Sequence, residues 1–386
     1  MNKSLNLKVC SSCIYDETIP QIIFDKNGVC NYCHQISKIE KEFKTGLPQG
    51  IEKFNTIVNQ IKIAGKNKKY DVIVGVSGGT DSSYLLHLAK DYGLRPLAVH
   101  YDNTWNTAIA SQNIKKIVTK LNVDLETYVI NNKEQDDILL AFFKAGICGL
   151  DAATDLALAE IMYRVANKYK IKYVFEGHSY MEEGVSPISN SYTDGRFIES
   201  VVEQFSERKL KSYPKMSFLN FLRWTVLNRI KKIRPLWYLN YEKSKARSLL
   251  KEKYDWEYYG GHHLENRIAS FDHSFLMPTK FGVDQRNNSL SALVRHNKIS
   301  KKNALEEYKK EPFLEEGILE YTKKRLNLSN DEFNEIMKGK KRTWQDFKTY
   351  KKRFELFRPL FKILTKFNLV PMSFYLKYCF PIKEKK

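Results

Sequence analysis

The stretch that decides the fold runs from Val74 to Ser83 and reads VGVSGGTDSS. It continues an apolar run that begins at Tyr70 and is typical of a parallel strand buried on both faces. The residues that follow, Asp81 to Asp91, are predicted to form a helix. Glycines between a strand and a helix let backbone N–H groups close around phosphate oxygens, and the helix N-terminus adds partial positive charge. The segment therefore predicts a phosphate-binding loop.

The side chains of this loop suit a nucleotide with a bound metal ion. The candidate nucleotide-binding residues are Ser77, Gly78, Gly79, Thr80, Asp81, Ser82 and Ser83. Asp81 is also a catalytic candidate, because a carboxylate among phosphates makes sense if it helps to hold Mg²⁺. The loop is not GxxxxGK[ST], in which a lysine contacts the phosphates. It resembles the PP-loop of the ATP pyrophosphatases, which implies cleavage of ATP between the α- and β-phosphates and transfer of AMP to a carbonyl oxygen.

Predicted strands and helices alternate on both sides of the loop. The predicted strands are 70–77, 94–100, 125–130 and 171–176, and the predicted helices are 50–66, 81–91, 108–121 and 151–168. This alternation predicts an α/β fold with a doubly wound, mostly parallel sheet. The resemblance implies the PP-loop form of that fold, also called adenine nucleotide alpha hydrolase-like. Beyond Arg234 the pattern weakens into short helices.

Four cysteines near the N-terminus form two CxxC pairs, Cys10/Cys13 and Cys30/Cys33. This spacing is typical of a structural zinc site, because each pair presents two thiolates and four thiolates complete a tetrahedral shell. Two redox pairs or four unrelated thiols are the alternatives. With this knuckle included, we expect four units: a zinc-binding knuckle at 1–45, a PP-loop ATP pyrophosphatase domain at 46–240, a helical substrate-binding region at 241–338 and a basic aromatic tail at 339–386.

Other polar residues follow the predicted strands, where open α/β sheets bind ligands. His100 and Asp102 come at the end of the second strand, and Gly177 and His178 follow a later one. Resemblance to PP-loop enzymes implies that the first pair contacts adenosine and that the second lies near the α-phosphate. His178 is a catalytic candidate, although a lone histidine equally suits a structural role. Arg234, in an Arg-Pro-Leu turn, is predicted to hold phosphate.

A further block makes the family resemblance more specific. It begins with YGGHHLENR at Tyr259–Arg267 and ends with KFGVDQR at Lys280–Arg286. Together with the knuckle and the loop it resembles the bacterial N-acetyl sugar amidotransferases of surface-polysaccharide (O-antigen, lipopolysaccharide) biosynthesis. The resemblance implies that an N-acetyl group becomes an acetamidino group at the expense of ATP. It also implies two partners, a glutaminase that supplies ammonia and a cyclase-like subunit, resembling the imidazole glycerol phosphate synthase pair. No glutaminase signature is present in this sequence.

The same block contains the predicted substrate-binding residues. Basic side chains suit a diphosphate or carboxylate on the sugar, and amide or acidic ones suit its hydroxyls. The candidates are His262, His263, Glu265, Asn266, Arg286 and Arg295, with Lys280 as a catalytic candidate. A second metal site at the two histidines and ordinary surface salt bridges are the alternatives.

Composition limits the class of protein. The 386 residues are 42% hydrophobic and 28% charged, which excludes a disordered chain, and six cysteines are too few for a secreted disulfide scaffold. No apolar run is long enough to span a membrane and no signal peptide is evident, so we expect a cytoplasmic protein. The net charge of +20 points to anionic partners. Two segments, 204–234 and 338–386, account for this excess.

Two questions stay open at this point. A tRNA-modifying PP-loop enzyme, of the thiolase or lysidine type, is the second hypothesis, because zinc ribbons, positive charge and Cys148 would fit it. A non-enzymatic zinc-ribbon binding protein is the third. The basic, aromatic tail could lie peripherally on the inner face of a membrane, dock a partner subunit, or cover its own core.

Overall fold

The computed structural model describes residues 7–185, 192–261, 264–367, 369–370 and 372–380. Five strands form a parallel sheet with the order β3-β2-β1-β4-β5. They are β1 Val72–Gly75, β2 Pro96–Asp102, β3 Leu125–Val129, β4 Tyr173–Phe175 and β5 Lys231–Ile233. The chain moves outward from β1 to β3 and then returns to the other side of β1. This order confirms the predicted doubly wound α/β fold.

Helices cover both faces of the sheet and form the C-terminal region. In the described residues they are α1 Asn31–Phe43, α2 Pro48–Ala64, α3 Thr80–Asp91, α4 Ala108–Leu121, α5 Asn132–Ala145, α6 Ala152–Lys168, α7 Gly195–Phe205, α8 Phe218–Leu222, α9 Lys243–Tyr254, α10 Arg267–Phe271, α11 Arg286–Arg295, α12 Lys301–Lys309, α13 Ile318–Arg325, α14 Asn330–Lys338, α15 Lys351–Leu356, α16 Arg358–Lys366 and α17 Met372–Tyr378. Two π-helical segments, Arg223–Leu227 and Asp272–Phe281, extend α8 and α10.

The central strand is apolar on both faces because both faces are covered. Val72 and Val74 point into one core, which α2, α3, α4 and α9 share, and Ile73 points into the other, which α5, α6 and α7 share. All three side chains are fully buried. The continuous run of apolar residues in β1 follows from this two-sided burial.

Strand β5 and helix α5 are among the elements that the sequence analysis did not predict. Strand β5 consists of Lys-Lys-Ile at the sheet edge, and its three residues are only half-buried, so it carries no apolar run. Helix α5 lies between β3 and α6 and buries Phe142 and Phe143. Its many charged residues near the start obscure the apolar face in the sequence.

The strand order determines where a ligand site can form. The chain leaves β1 toward β2 on one side, while β4 lies on the other side of β1. At such a switch point the connections after the two neighbouring strands diverge and leave a crevice at the carboxyl edge. The glycine loop at Ser77–Gly79 follows β1, and the turn at Glu176–His178 follows β4. Both segments therefore lie at this crevice.

The C-terminal helices pack back onto the sheet domain. Phe354 and Phe361 are buried in the same core as α5, α6 and α7. The backbone N–H of Tyr350 donates to Asp194 Oδ2 over 2.7 Å, which joins the start of α15 to the N-terminus of α7. Of the three roles expected for the tail, covering its own core is the one that this packing supports. No helix of the described chain is both long enough and apolar enough to cross a bilayer.

Candidate functional site

The glycine loop has the geometry of an anion cradle. Gly78 has φ +82°, and a side chain there would overlap the backbone carbonyl of Ala110, so glycine is required on both counts. A Cβ on Gly79 would come within 2.7 Å of Glu265 Oε1. The carbonyl of Gly78 accepts hydrogen bonds from Trp256 Nε1 and Asn113 Nδ2, which fix the loop from behind. Helix α3 begins directly after it, at Thr80.

A cavity of about 230 Å³ opens above this loop. Its lining includes four of the predicted nucleotide-binding side chains, one loop glycine and residues from distant segments. The lining residues are Ser77, Gly79, Thr80, Asp81, Ser82, Gly177, His178, Glu183, Lys243, Tyr259 and Glu265. The structure thus brings the loop, the turn after β4 and the start of α9 to one place.

Asp81 is at the centre of an ion-pair network. Lys243 Nζ donates to Asp81 Oδ2 over 2.6 Å and to Glu183 Oε1 over 3.2 Å, and Tyr241 OH donates to Asp81 Oδ1. Burial alone would raise the pKa of Asp81, but attraction to Lys243 together with the hydrogen bonds from Lys243 and Tyr241 outweighs burial and lowers it. The same carboxylates hold the pKa of Lys243 above its ordinary value despite burial. Asp81 is therefore ionised and Lys243 is cationic at neutral pH.

Glu265 closes the cavity from the opposite side. Its carboxylate is buried beside the loop, with Oε1 accepting from Ser77 Oγ at 3.4 Å. The backbone of Glu265 accepts from Thr107 N–H, and Arg267 N–H donates to Trp105 O, so this segment is pinned to the chain that leaves β2. Glu265, a predicted ligand of sugar hydroxyls, lies at the phosphate loop in the structure, and its contact with a sugar stays a prediction. Two carboxylates, Asp81 and Glu265, thus flank a cradle shaped for anions, which fits a site for phosphates that carry Mg²⁺.

His178 lines the cavity but both of its ring nitrogens are engaged. Nε2 donates to the Gly184 carbonyl over 2.9 Å, and Nδ1 accepts from Trp237 Nε1 at 3.2 Å. Burial, and then repulsion from Arg234, lower the pKa of His178 to about 4. The ring is therefore neutral at physiological pH. Because both ring nitrogens are bonded within the protein, the ring is better suited to holding the turn after β4 in place than to stabilising charge on a substrate. Its predicted catalytic role stays a prediction.

His100, Asp102 and Asn266 lie together beside the loop but outside the cavity lining. His100 is buried, with Nδ1 against the Val76 carbonyl at 2.8 Å, and Asn106 Nδ2 donates to both His100 Nε2 and Asp102 Oδ1. Asn266 donates to Asn103 and Asn106 and caps α10. This polar cluster ties the 265–267 segment to the end of β2. Its predicted contacts with adenosine and sugar remain predictions.

A second cavity, of about 350 Å³, opens beside the turn after β4. Its walls combine cations, aromatic rings and two carboxylates, and the residues come from α6–α8, the turn after β4, β5 and the C-terminal helices. The charged members are Glu176, Asp194, Lys232, Arg234 and Lys377, and the aromatic members include Tyr163, Phe218, Tyr350 and Tyr378. Arg234 Nε donates to Glu176 Oε2 over 2.6 Å, and its guanidinium stacks on Trp237. Arg234, predicted to hold phosphate, thus lines this cavity rather than the first.

The four predicted metal ligands come together. The sulfurs of Cys10, Cys13, Cys30 and Cys33 lie within 4.8 Å of one another and are buried, with Cys10···Cys33 at 3.8 Å and Cys13···Cys30 at 3.9 Å. A Zn–S bond of about 2.3 Å in a tetrahedral shell places sulfurs about 3.8 Å apart, so the set fits one such ion. It does not fit a four-iron cluster, in which each thiolate binds a different iron.

Three predicted site residues lie elsewhere. Arg295 Nε donates to Cys33 Sγ over 3.1 Å and Nη2 to Cys13 Sγ over 3.5 Å, which offsets the negative charge of a four-thiolate metal site. Lys280 Nζ donates to the Ile336 carbonyl at the end of α14. Arg286 pairs with Asp284 and with carbonyls at the end of α12. None of the three lines either cavity. His262 and His263 lie outside the described residues.

The sequence reasoning missed Lys243, Glu183 and Tyr241. These residues lie far from the loop in sequence and belong to no motif that was identified, so they carried no signal beyond being polar. Tyr259, whose hydroxyl accepts from Thr80 N–H at 3.3 Å, was part of the quoted block but had no assigned role.

Strand order and loop together define the class: an α/β protein with a doubly wound parallel sheet and a glycine loop at its switch point. Residues 265–361, about a quarter of the chain, match the family model described as LPS biosynthesis protein WbpG-like, C-terminal domain. The match begins at Glu265, the carboxylate beside the loop. A search of curated proteins gave no match.

Several solved structures are similar at low identity. The U34-tRNA thiolase NcsA from Methanococcus maripaludis with its [4Fe-4S] cluster is 14% identical, with 84% of this chain and 89% of that chain covered and a TM-score of 0.35. The NMN synthetase from Francisella tularensis is 14% identical, over 73% of this chain and 95% of that one, with a TM-score of 0.33. The NH3-dependent NAD synthetase from Campylobacter jejuni is 13% identical, over 75% of this chain and 98% of that one, with a TM-score of 0.31. Similarity at this level says nothing about the reaction of this chain.

Proposed function

We propose that this protein is an ATP-dependent amidotransferase that converts the N-acetyl group of an acidic or nucleotide-linked sugar into an acetamidino group, for surface-glycan biosynthesis. The observation that carries the proposal is the cavity above the glycine loop, where an anion cradle meets two buried carboxylates and Lys243. The WbpG-like match of residues 265–361 supports the biosynthetic setting.

The reaction begins at an amide, whose carbonyl carbon is a poor electrophile. The amide oxygen attacks the α-phosphorus of ATP and pyrophosphate leaves. Ammonia then adds to the activated carbon, and AMP departs with its oxygen as a proton is lost, which gives the amidine. The protein has to hold ATP, align the amide oxygen with the α-phosphorus and offset developing charge.

In this proposal the loop residues Ser77–Ser83 bind the phosphates, and Asp81 and Glu265 would hold Mg²⁺ on them. Lys243, whose side chain lines the same cavity, would offset charge on a phosphate oxygen. We assign the acceptor sugar to the second cavity, because Lys232, Arg234 and Lys377 suit an anionic group and the surrounding rings suit a sugar face. The turn Glu176–His178 contributes to both cavities, which supports contact between the two substrates there.

The alternative of sulfur transfer to tRNA depends on Cys148. Burial, and then repulsion from Asp272, raise the pKa of this thiol to about 12, so it is protonated at neutral pH and a poor sulfur carrier. Cys148 also lines neither cavity. These observations favour the amidotransferase.

The test uses the purified chain with Mg-ATP, ammonium chloride and a panel of N-acetylated nucleotide sugars and acidic sugars. Mass spectrometry should detect replacement of the amide oxygen by NH, together with equal amounts of AMP and pyrophosphate. Glutamine should not replace ammonium unless a partner glutaminase is added, because the sequence has no glutaminase signature.

The variant Asp81→Asn should lower pyrophosphate release at least about a hundredfold while the chain remains folded. The control Asp91→Asn, at the exposed far end of the same helix, should react like the wild type. Sulfur incorporation into copurifying tRNA, without any amidine product, would refute the proposal in favour of the alternative.

A further inference from the structure

Exposed apolar side chains lie along α16 and at its two ends. Phe361 and Leu364 of this helix are buried in the core. Leu360 and Ile363 of α16, three residues apart and so neighbours on the helix surface, are exposed by 41% and 52%. Leu356 at the end of α15 and Phe367 just after α16 are exposed by 75% and 67%. This part of the chain therefore presents a row of four apolar side chains to solvent beside the side that is buried in the core.

The neighbouring helix α17 extends this surface. Met372, Leu376 and Phe380 follow one another at four-residue spacing and are all exposed. The guanidinium of Arg358, at the start of α16, lies 5.4 Å from the ring centre of Phe380, so the two helices lie side by side. We call these seven apolar side chains the outer stripe. Contiguous exposed apolar surface of this kind marks an interaction site.

The charges around the outer stripe are mostly positive. Between residues 352 and 367 there are five cations and one acid, Glu355, which pairs with Lys351. The five, all exposed, are Lys352, Arg353, Arg358, Lys362 and Lys366. A second copy of this chain docked through the same surface would bring these cations against one another. Charge complementarity therefore argues for an anionic partner.

We propose that the outer stripe of α16 and α17 docks the protein on an anionic lipid bilayer. Apolar side chains flanked by Lys and Arg on a helix that lies flat are the features of interfacial membrane binding. The apolar residues enter the headgroup boundary, and each cation near an anionic surface adds attraction that salt weakens. The core-facing side of α16 stays on the protein, so docking requires no unfolding.

The test is flotation of the full-length protein with vesicles of phosphatidylcholine, with and without phosphatidylglycerol. The protein should float with the phosphatidylglycerol vesicles, bind neutral vesicles at least about tenfold more weakly, and be released as salt is raised. A wild-type protein that floats with neither vesicle, or with both equally, overturns the proposal.

Two double variants test the surface itself. Leu360→Ser/Ile363→Ser and Lys362→Glu/Lys366→Glu should each weaken binding at least about tenfold, while thermal unfolding stays close to that of the wild type because all four side chains are exposed. The matched controls lie at the end of α2 and just after it, where Ile63 is 74% exposed: Ile63→Ser and Lys62→Glu/Lys66→Glu should bind normally. Undiminished binding by both test variants would overturn the proposal, as would a wild-type dimer that Leu360→Ser/Ile363→Ser converts to a monomer.

Discussion

Lys243 Nζ lies 2.6 Å from Asp81 Oδ2, and this ion pair joins the first residue of α9 to the first turn of α3. The two residues are 162 positions apart in the chain. The carboxylate on which ATP cleavage is proposed to depend is therefore oriented by a cation from another part of the sequence. Each side chain is at most 17% exposed, so neither charge is well solvated without the other.

Removing this cation should destabilise the fold. Lys243→Met leaves Asp81 and Glu183 as neighbouring buried carboxylates, and we expect the free energy of unfolding in urea to fall by about 3 kcal/mol or more. The control Lys245→Met, whose side chain is 77% exposed beside Glu242, should change it by no more than about 0.5 kcal/mol. Equal stability of the two variants would mean that the buried pair contributes little.

Gly78 offers a test of the cradle geometry. Gly78→Ala meets both an unfavourable positive φ and a clash with the Ala110 carbonyl, and should abolish ATP binding measured by calorimetry. Gly149→Ala is the matched control, because Gly149 also has positive φ, +92°, but no atom lies within 4 Å of an added Cβ. It should cost about 1–2 kcal/mol of stability and keep ATP binding. Retained ATP binding by Gly78→Ala would contradict the assigned phosphate loop.

The four-cysteine site should hold one Zn²⁺ per chain and brace α11 and α12. Tyr15 OH donates to Asn288 Oδ1 over 2.7 Å, and Lys301 Nζ donates to the Cys10 carbonyl over 2.5 Å. Cys13→Ser should lose the metal, measured by elemental analysis, and speed amide exchange in both helices. Cys148→Ser should keep metal and exchange unchanged. Slow exchange in a metal-free Cys13→Ser protein would exclude the bracing role.

The neutral His178 predicts an acid-sensitive fold. Its pKa is lowered to about 4, whereas a histidine in the unfolded chain titrates near 6.5. The unfolded state thus binds a proton first as pH falls, so stability decreases between pH 6.5 and 4. One proton contributes about 1.4 kcal/mol per pH unit. His178→Gln should reduce the slope of unfolding free energy against pH by about that amount. His296, whose pKa burial also lowers to about 4, adds a separate contribution that His178→Gln leaves in place.

Lys377 tests the proposed acceptor cavity. Among the described residues no ion pair or hydrogen bond holds its ammonium, and burial lowers its pKa to about 8. Lys377→Met should therefore hardly change stability but raise the KM for an anionic acceptor about tenfold, with the KM for ATP unchanged. Lys348→Met, at an exposed position before α15, is the control. A shift in the KM for ATP alone would contradict the assignment.

Sequence reasoning succeeded where the signal is local. The run from Tyr70 and the glycines after it mark β1 and its loop, and α4 was predicted with its observed ends, Ala108 and Leu121. It failed where a role depends on contacts across the chain. Lys280 and Arg295 are basic residues in the expected region, but one caps a helix and the other contacts thiolates.

The residues that line the two cavities also come together through contacts across the chain, which local sequence patterns do not reveal. Lys243 becomes part of the site only because α9 packs on the face of the sheet that carries α3. The substrate-binding region was expected within residues 241–338, yet the residues that line the second cavity come from α6–α8, β5, the turn after β4 and the chain from residue 350 onward. No periodicity or spacing in those segments indicates that they meet.

The return of α15–α17 onto the sheet domain has a consequence for how the protein is made. Ribosomes release the strands β1–β5 well before Tyr350, Phe354 and Tyr378, yet these late residues supply part of the core and one wall of a cavity. Contacts of such large sequence separation form slowly, and the domain exposes apolar surface until they do. Synthesis that stops shortly before α15 would thus yield a chain with every strand and the whole phosphate loop, but with an open core that chaperones and proteases recognise.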